Sequence, residues 1–330
     1  ARARERIALS AGENKIEVSC LDHGGLESPR ALVAAQGPAA SKAALYYLGI
    51  GVSKYRNRAG GASIDLGYAA KDARDLESFL KGNPGGLYGR IETRVFADEA
   101  ATRGCLGAAQ SFLAQAGIDD AVIVFVAGHG LYDAEERYYF LSHEADLADL
   151  AGSALPFEEL EDILRATASR RKLLLMDSCA SGLREGAQAP ASLPGGSRGI
   201  SARVVPAPAL RGIAVAGAAE QPRRWLFERD RYLFNDLSRR SGAIVFSSCT
   251  GDQVSWESEA FENGLFTEYL LRALAGAADR DKSGAVDSEE LRRYVSEGVL
   301  AETRGRYPSE QLPVVDRDNL SLRLLLPSGR

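Results

Sequence analysis

Cysteine is scarce in this chain of 330 residues: there are four, and none stands in CxxC spacing. That excludes a dense disulfide framework and a cysteine-built metal site, and makes a reducing, cytoplasmic setting the expectation. Positive charge is not in excess either. Forty Lys and Arg against 45 Asp and Glu give a net charge of −5, so nothing global attracts nucleic acid or an acidic membrane surface. Long hydrophobic runs are missing as well: the longest, Ala121 to Gly128, is far too short to cross a bilayer. No N-terminal stretch joins a basic start to an apolar region and a small-residue cleavage site. Methionine occurs once, at Met176, so a processed, recombinant or partial chain is expected, with other domains such as a sensor upstream of Ala1.

What is present suits a soluble globular protein. Hydrophobic residues make up 45% and charged residues 26%, enough for a sizeable core in one large domain with an appendage or in two domains. Residues 1–42 read as an arm or linker, with one strand over Lys15 to Cys20. Near-continuous apolar runs then recur at Ala44 to Ser53, Ala121 to Ala127, Leu173 to Met176 and Ala243 to Phe246, with a further strand at Ile91 to Phe96. Helical spacing separates them at Ala70 to Leu80, Ala101 to Ala116 and Phe157 to Leu164, and follows them at Phe266 to Leu274. Alternation of this kind predicts an α/β fold, a mostly parallel central sheet with helices on both faces. Functional groups in such sheets gather at the carboxyl ends of strands.

Two strand ends carry reactive side chains. One run leads into Ala127-Gly128-His129-Gly130 and the next into Asp177-Ser178-Cys179-Ala180-Ser181-Gly182. A thiolate attacks a carbonyl far better than a thiol, so a nucleophilic cysteine needs a neighbouring base or cation. An imidazole on the adjacent strand end supplies one and can then protonate the leaving amine. Backbone N–H groups of Gly130 and Cys179 are placed to hold a developing oxyanion. Cys20, Cys105, Cys249, His23 and His143 lack such contexts and read as structural. Gly49-x-Gly51 has Lys54 where a nucleotide-binding loop needs its third glycine, so nucleotide binding finds no support.

A-G-H-G followed fifty residues later by D-S-C-A-S-G resembles the caspase-like cysteine peptidases, and the metacaspase and bacterial branch more than the animal caspases. Lys71-Asp72-Ala73 resembles that family's N-D-A motif. Ser255-Trp256-Glu257 with Asn263-Gly264-Leu265-Phe266 is similar to its S-W-R and G-x-x-F segment, and Gln311-Leu312-Pro313 to its late Q-x-P. The resemblance spans about Ala44 to Leu325 and implies a three-layer sandwich, a Cys179/His129 dyad and no cofactor required for the chemistry. Substrates would be protein segments bound as extended strands against Ser255, Trp256 and Glu257, with neither nucleic acid nor membrane as partner. Animal caspases hold aspartate with two arginines and a glutamine; Leu66, Glu257 and Asp177 stand at the matching positions. Loss of those cations and gain of carboxylates implies cleavage after arginine, and less readily lysine, with Asp72 and Asp177 facing the first pocket. Ala127 and Ala69 replace a serine and a cysteine that some metacaspases carry there.

Two further features complete the reading. Residues 279–290 fit a twelve-residue EF-hand loop, making Asp279, Asp281, Ser283, the Ala285 carbonyl, Asp287 and Glu290 a candidate calcium set around Gly284. Residues 184–225 form a basic linker, with five prolines, six glycines and six arginines against two acids. The domain plan is thus an arm to residue 42, a large-subunit region over 43–183, this linker, and a small-subunit region over 226–330. In the family a linker at this place is often cut during activation, which makes Arg198, Arg203, Arg211, Arg223 and Arg224 candidates for self-processing or for an upstream protease. The expected function is a cysteine endopeptidase made as a zymogen. The rival is a caspase-fold module that binds peptide, or responds to calcium, without significant proteolysis.

Overall fold

Five of the sequence's apolar runs become neighbours in one sheet. In the computed structural model β1 (Ala44–Gly51), β2 (Arg90–Ala97), β3 (Ala121–Ala127), β4 (Arg171–Asp177) and β5 (Ala243–Ser247) lie parallel, and β6 (Val314–Val315) closes one edge antiparallel. Their spatial order is β6-β5-β4-β3-β1-β2. The structure describes the whole chain except residues 1–3, 25, 40, 58–62, 83–86, 134, 136, 179–199, 203–241, 250–252, 316–325 and 328–330. β1 and β3 are buried along their full length, as inner strands covered on both faces must be, whereas β2 alternates between exposed and half-buried residues at the edge.

The adjacent residues Tyr46 and Tyr47 mark the two outer layers. Tyr47 donates its hydroxyl to Ala73 O in α1 (Ala69–Gly82) at 2.8 Å, while Tyr46 points to the other face and donates to Gln115 O at 3.2 Å. Gln115 lies just past α2 (Cys105–Leu113), which packs with α3 (Phe157–Ala166). On the first face α1 packs with α4 (Leu265–Arg272), and α4 with α5 (Ser288–Thr303). The α/β three-layer architecture expected from the alternation is therefore present.

Details differ from the sequence reading. α2 is shorter than the expected span of Ala101 to Ala116, because Asp98–Ala100 forms a tight 3-10 turn and Gly104 and Gly107 weaken the first turn. The arm holds two strands where one was expected: Glu13–Val18 pairs antiparallel with Ala31–Gln36. Arg170 docks this hairpin on the domain, donating to Ala8 O (2.6 Å), Asn14 Oδ1 (3.1 Å) and Ser10 Oγ (3.2 Å). Within the 184–225 linker, residues Ile200–Ala202 form a strand paired antiparallel with Trp256–Ser258; the rest of the linker lies outside the described residues. Among the described residues no helix is long and apolar enough to cross a membrane.

At the amino end of the sheet, away from the candidate site, Lys172 is buried on β4. Its ammonium donates to Leu164 O (2.8 Å) and Thr167 O (3.1 Å), closing the carboxyl end of α3 where helix carbonyls lack partners. Burial pushes its pKa down from 10.5 to about 8. The unfolded chain therefore binds more protons than the folded one between those values, and stability rises with pH across that window. A shift of this size corresponds to at most ~3 kcal/mol. Urea titrations from pH 8 to 10.5 should show this rise in the wild type, and Lys172→Met should remove it; equal slopes in both would contradict the assignment.

Candidate active site

His129 follows β3 directly and is 1% exposed. Three contacts fix it. Its backbone N–H donates to the Tyr55 hydroxyl at 3.0 Å, and that hydroxyl donates to Val52 O at 3.2 Å. The Tyr55 ring lies 5.1 Å from the imidazole, centroid to centroid, at 34°. Its Nε2 sits 2.7 Å from Ile64 O. A carbonyl can only accept, so Nε2 carries the proton and Nδ1 is the basic nitrogen. Gly128 has φ +148°, and a Cβ there would come within 2.9 Å of the Tyr55 hydroxyl, which accounts for one of the two flanking glycines.

The second strand end lies beside the first. Ala127 pairs with Asp177 in the β3–β4 ladder, and Gly128 N–H donates to Asp177 O at 3.2 Å. Cys179 itself, the expected nucleophile, lies outside the described residues. Its neighbour Ser178 is buried, with its hydroxyl 2.9 Å from that of Tyr138. Tyr138 belongs to a short hairpin in which Gly130–Tyr132 pairs with Tyr138–Phe140. Its phenol folds back over Gly130 so closely that a Cβ at that position would collide with the hydroxyl. One tyrosine hydroxyl thus touches both segments expected to supply oxyanion donors.

The residues expected to face substrate are also brought together. Asp72 and Asp177 are fully buried. Asp177 accepts from the hydroxyls of Ser255 (2.7 Å) and Thr267 (2.9 Å), and Asp72 accepts from Gly264 N–H at 3.2 Å. Gln311 holds the same segment: its Oε1 accepts from Trp256 N–H (2.9 Å), and its Nε2 donates to Ser248 O (2.9 Å) and Ser255 Oγ (3.2 Å). Trp256 is buried, its indole N–H donating to Ser309 O at 3.1 Å. Glu257 also serves the scaffold. Its carboxylate accepts from Gly67 N–H (2.8 Å) and Tyr68 N–H (3.1 Å), satisfying the unpaired donors ahead of α1 and complementing the positive end of that helix.

Around the acidic loop, one oxygen each of Asp279, Asp281 and Glu290 lie within 4.8 Å of one another. These three also accept backbone N–H bonds, Asp279 and Asp281 from Ser283 and Glu290 from Arg280, and the other candidate ligands are engaged locally as well. Asp287 caps α5, accepting from Glu289 and Glu290 N–H, and Glu290 accepts in return from Asp287 N–H. Ser283 donates its hydroxyl to Ala285 O at 3.0 Å. Of the remaining thiols, burial pushes Cys105 up to about 12, Cys249 is buried and donates to Gln253 O, and Cys20 is exposed in the arm. His143 Nδ1 donates to Lys54 O at 2.7 Å.

Sequence reasoning named His129, Asp72, Asp177, Ser255 and, through the resemblance, Gln311, but missed Ile64, Tyr55, Tyr138 and Thr267 as parts of this arrangement. Ile64 acts through its backbone carbonyl, which leaves no mark on residue type. For the tyrosines the signal lay in Gly128 and Gly130, each of which makes room for a phenol.

Among solved structures, protein GSU0716 from Geobacter sulfurreducens superposes with a TM-score of 0.53 at 17% identity, covering 86% of this chain and 94% of that one; it shares the fold. No curated protein matches the chain. The family model described as the caspase domain matches residues 46–325, from β1 to beyond β6, and so takes in both strand ends, the Ser255–Glu257 segment and Gln311. The chain belongs to the caspase domain family, a family of cysteine peptidases.

Proposed function

We propose that this protein is a cysteine endopeptidase that cuts after arginine, and less readily after lysine, with Cys179 as nucleophile and His129 as general acid and base. The observation that carries this reading is the place of His129, held with its Nε2 2.7 Å from Ile64 O at the end of a strand whose neighbour leads through Asp177-Ser178 into Cys179. With Nε2–H donated to that carbonyl, the imidazole acts as a base through Nδ1. The thiol proton passes to Nδ1, and the thiolate adds to the scissile carbonyl. N–H groups of Gly130 and Cys179 hold the oxyanion that forms. The imidazolium gives its proton to the departing amine, leaving a thioester; water, deprotonated by Nδ1, hydrolyses it and the thiol is restored.

Specificity rests on Asp72 and Asp177. Both carboxylates are buried, Asp177 beside Ser255 and Asp72 beside Gly264, and a carboxylate suits the two-bond fork of a guanidinium. Arginine peptides should be cleaved by the wild type and not by Cys179→Ala. Leaving one member of such a charge pair alone costs about 2–5 kcal/mol, so Asp177→Asn should lower kcat/KM toward arginine peptides at least about thirtyfold. Efficient cutting after aspartate would refute the pocket. Binding of arginine peptides without hydrolysis would instead favour the non-proteolytic rival.

Tyr138 acts in this reading as a positioning residue for the two oxyanion donors. Tyr138→Phe keeps the ring packed against Phe140 and Phe157 but removes the hydroxyl. Losing a whole oxyanion donor costs about 10²–10³ in kcat; loosening two should lower kcat by about ten- to a hundredfold with little change in KM. A purely structural role would lower melting temperature and leave kcat of the folded enzyme intact.

For the loop at 279–290 we propose one calcium ion, supported by the convergence of Asp279, Asp281 and Glu290. Calorimetry with millimolar calcium should give a single-site isotherm that Asp281→Asn abolishes; no heat with the wild type would remove the proposal. Activation is proposed to follow cutting of the 184–225 linker, by the enzyme itself or by an upstream protease. Arg198, Arg203, Arg211, Arg223 and Arg224, the sequence's candidates, lie outside the described residues.

A further inference from the structure

Two of the groups that grip His129 come from the segment between β1 and α1. Tyr55 supplies the hydroxyl that accepts from His129 N–H, and Ile64 supplies the carbonyl 2.7 Å from Nε2. They must keep one spacing, or the imidazole loses one of these contacts. The Tyr55 end is fixed from several sides. Asp98 Oδ1 accepts from Ser53 N–H (2.8 Å) and Lys54 N–H (2.9 Å), and Arg56 N–H donates to His143 O at 2.8 Å. The Asn57 amide donates to Glu144 O and Ala145 O, each at 3.0 Å. The Ile64 end is tied back to this anchored stretch at two points. Leu66 N–H donates to Ser53 O at 2.8 Å, and Asp65 Oδ1 accepts from Tyr55 N–H at 2.9 Å. Asp65 Oδ2 also lies 3.4 Å from Lys54 Nζ, an exposed pair of small worth. The first tie joins residues on the outer side of both contacts. The second joins the residue that bears the phenol to the neighbour of the carbonyl.

We infer that Asp65 is a positioning residue for His129: its carboxylate sets the spacing of Tyr55 and Ile64 and so holds the Ile64 carbonyl where Nε2–H can donate to it. Its consequence for catalysis rests on the peptidase reading above. With the Nε2–H bond made, Nδ1 is the basic nitrogen, and the ring that has taken a proton there still donates to a carbonyl already aimed at it. Without the Asp65 carboxylate, the Leu66–Ser53 bond and the buried Ile64 and Leu66 side chains keep the segment folded. The carbonyl is then less firmly set against the ring. Asp65 thus acts through Ile64 and Tyr55.

Nuclear magnetic resonance of the full chain, labelled with nitrogen-15 histidine, reads the bond without any need for activity. The chain has three histidines, so the His129 Nε2–H signal is assigned by its loss in His129→Gln. In Asp65→Ala that proton should exchange with water at least about tenfold faster than in the wild type. Asp65→Asn keeps an oxygen for Tyr55 N–H and should restore slow exchange. Kinetics on an arginine peptide supply the second reading. Asp65→Ala should lower kcat about tenfold with KM little changed, and Asp65→Asn should stay within about threefold of the wild type. Exchange that is equal in Asp65→Ala and wild type means that Ile64 is held by its burial alone, and overturns the inference. Faster exchange with kcat unchanged leaves Asp65 a scaffold residue and overturns it too. A wild type that cuts no arginine peptide sinks the peptidase reading, and the exchange rates then decide the anchoring by themselves.

Discussion

The buried carboxylate of Asp177 joins the two regions of the fold. It ends β4, yet both of its oxygens accept hydroxyls from much later in the chain, Ser255 on one and Thr267 on the other. A buried charge without partners is expensive, so this carboxylate specifies where both segments must lie. Ser255 sets the register of Trp256–Ser258, and Thr267 fixes α4 against the end of the sheet. Asp72 repeats the arrangement from α1, accepting from Gly264 just before α4 begins. The two acids proposed to meet a guanidinium thus also fix the segments around them. If that proposal holds, specificity and folding are tied together at these positions.

Two tyrosine hydroxyls complete the site in the same economical way. Tyr55 grips the backbone of His129 and Tyr138 the side chain of Ser178, so each strand end is held at the residue next to or within its reactive motif. Each phenol needs a glycine to give it room. The flanking glycines thus do less to open the site to a ligand than to admit these side chains. Glu257 shows the converse. Its carboxylate accepts two backbone N–H groups just ahead of α1, so an acid that departs from the animal caspase pattern also takes part in the scaffold.

Much of the architecture was legible because buried parallel strands have an unmistakable pattern: β1, β3, β4 and β5 each appear as an apolar run, and the reactive residues follow two of them directly. What stayed hidden has physical causes. β6 is two residues long and antiparallel, too short for periodicity to register. The second strand of the arm, A-L-V-A-A-Q, lacks alternation and is defined by its partner. The pairing of residues 200–202 could not be read from a Pro- and Gly-rich stretch, because strand addition depends on the edge offered by Trp256–Ser258 and not on local preference. The role of Ile64 belongs to a carbonyl, and the tautomer of His129 to where that carbonyl lies.

Gln311 draws the farthest part of the chain into the site. Its amide reaches Ser248, Ser255 and Trp256 and follows every other member of the arrangement in sequence. During synthesis His129, Asp72 and Asp177 all leave the ribosome before it does. Until Gln311 emerges, Trp256 N–H and Ser248 O lack the groups that bind them in the finished fold, and the segment carrying Ser255 has only part of its support. A nascent chain therefore completes this arrangement only near the end of its synthesis.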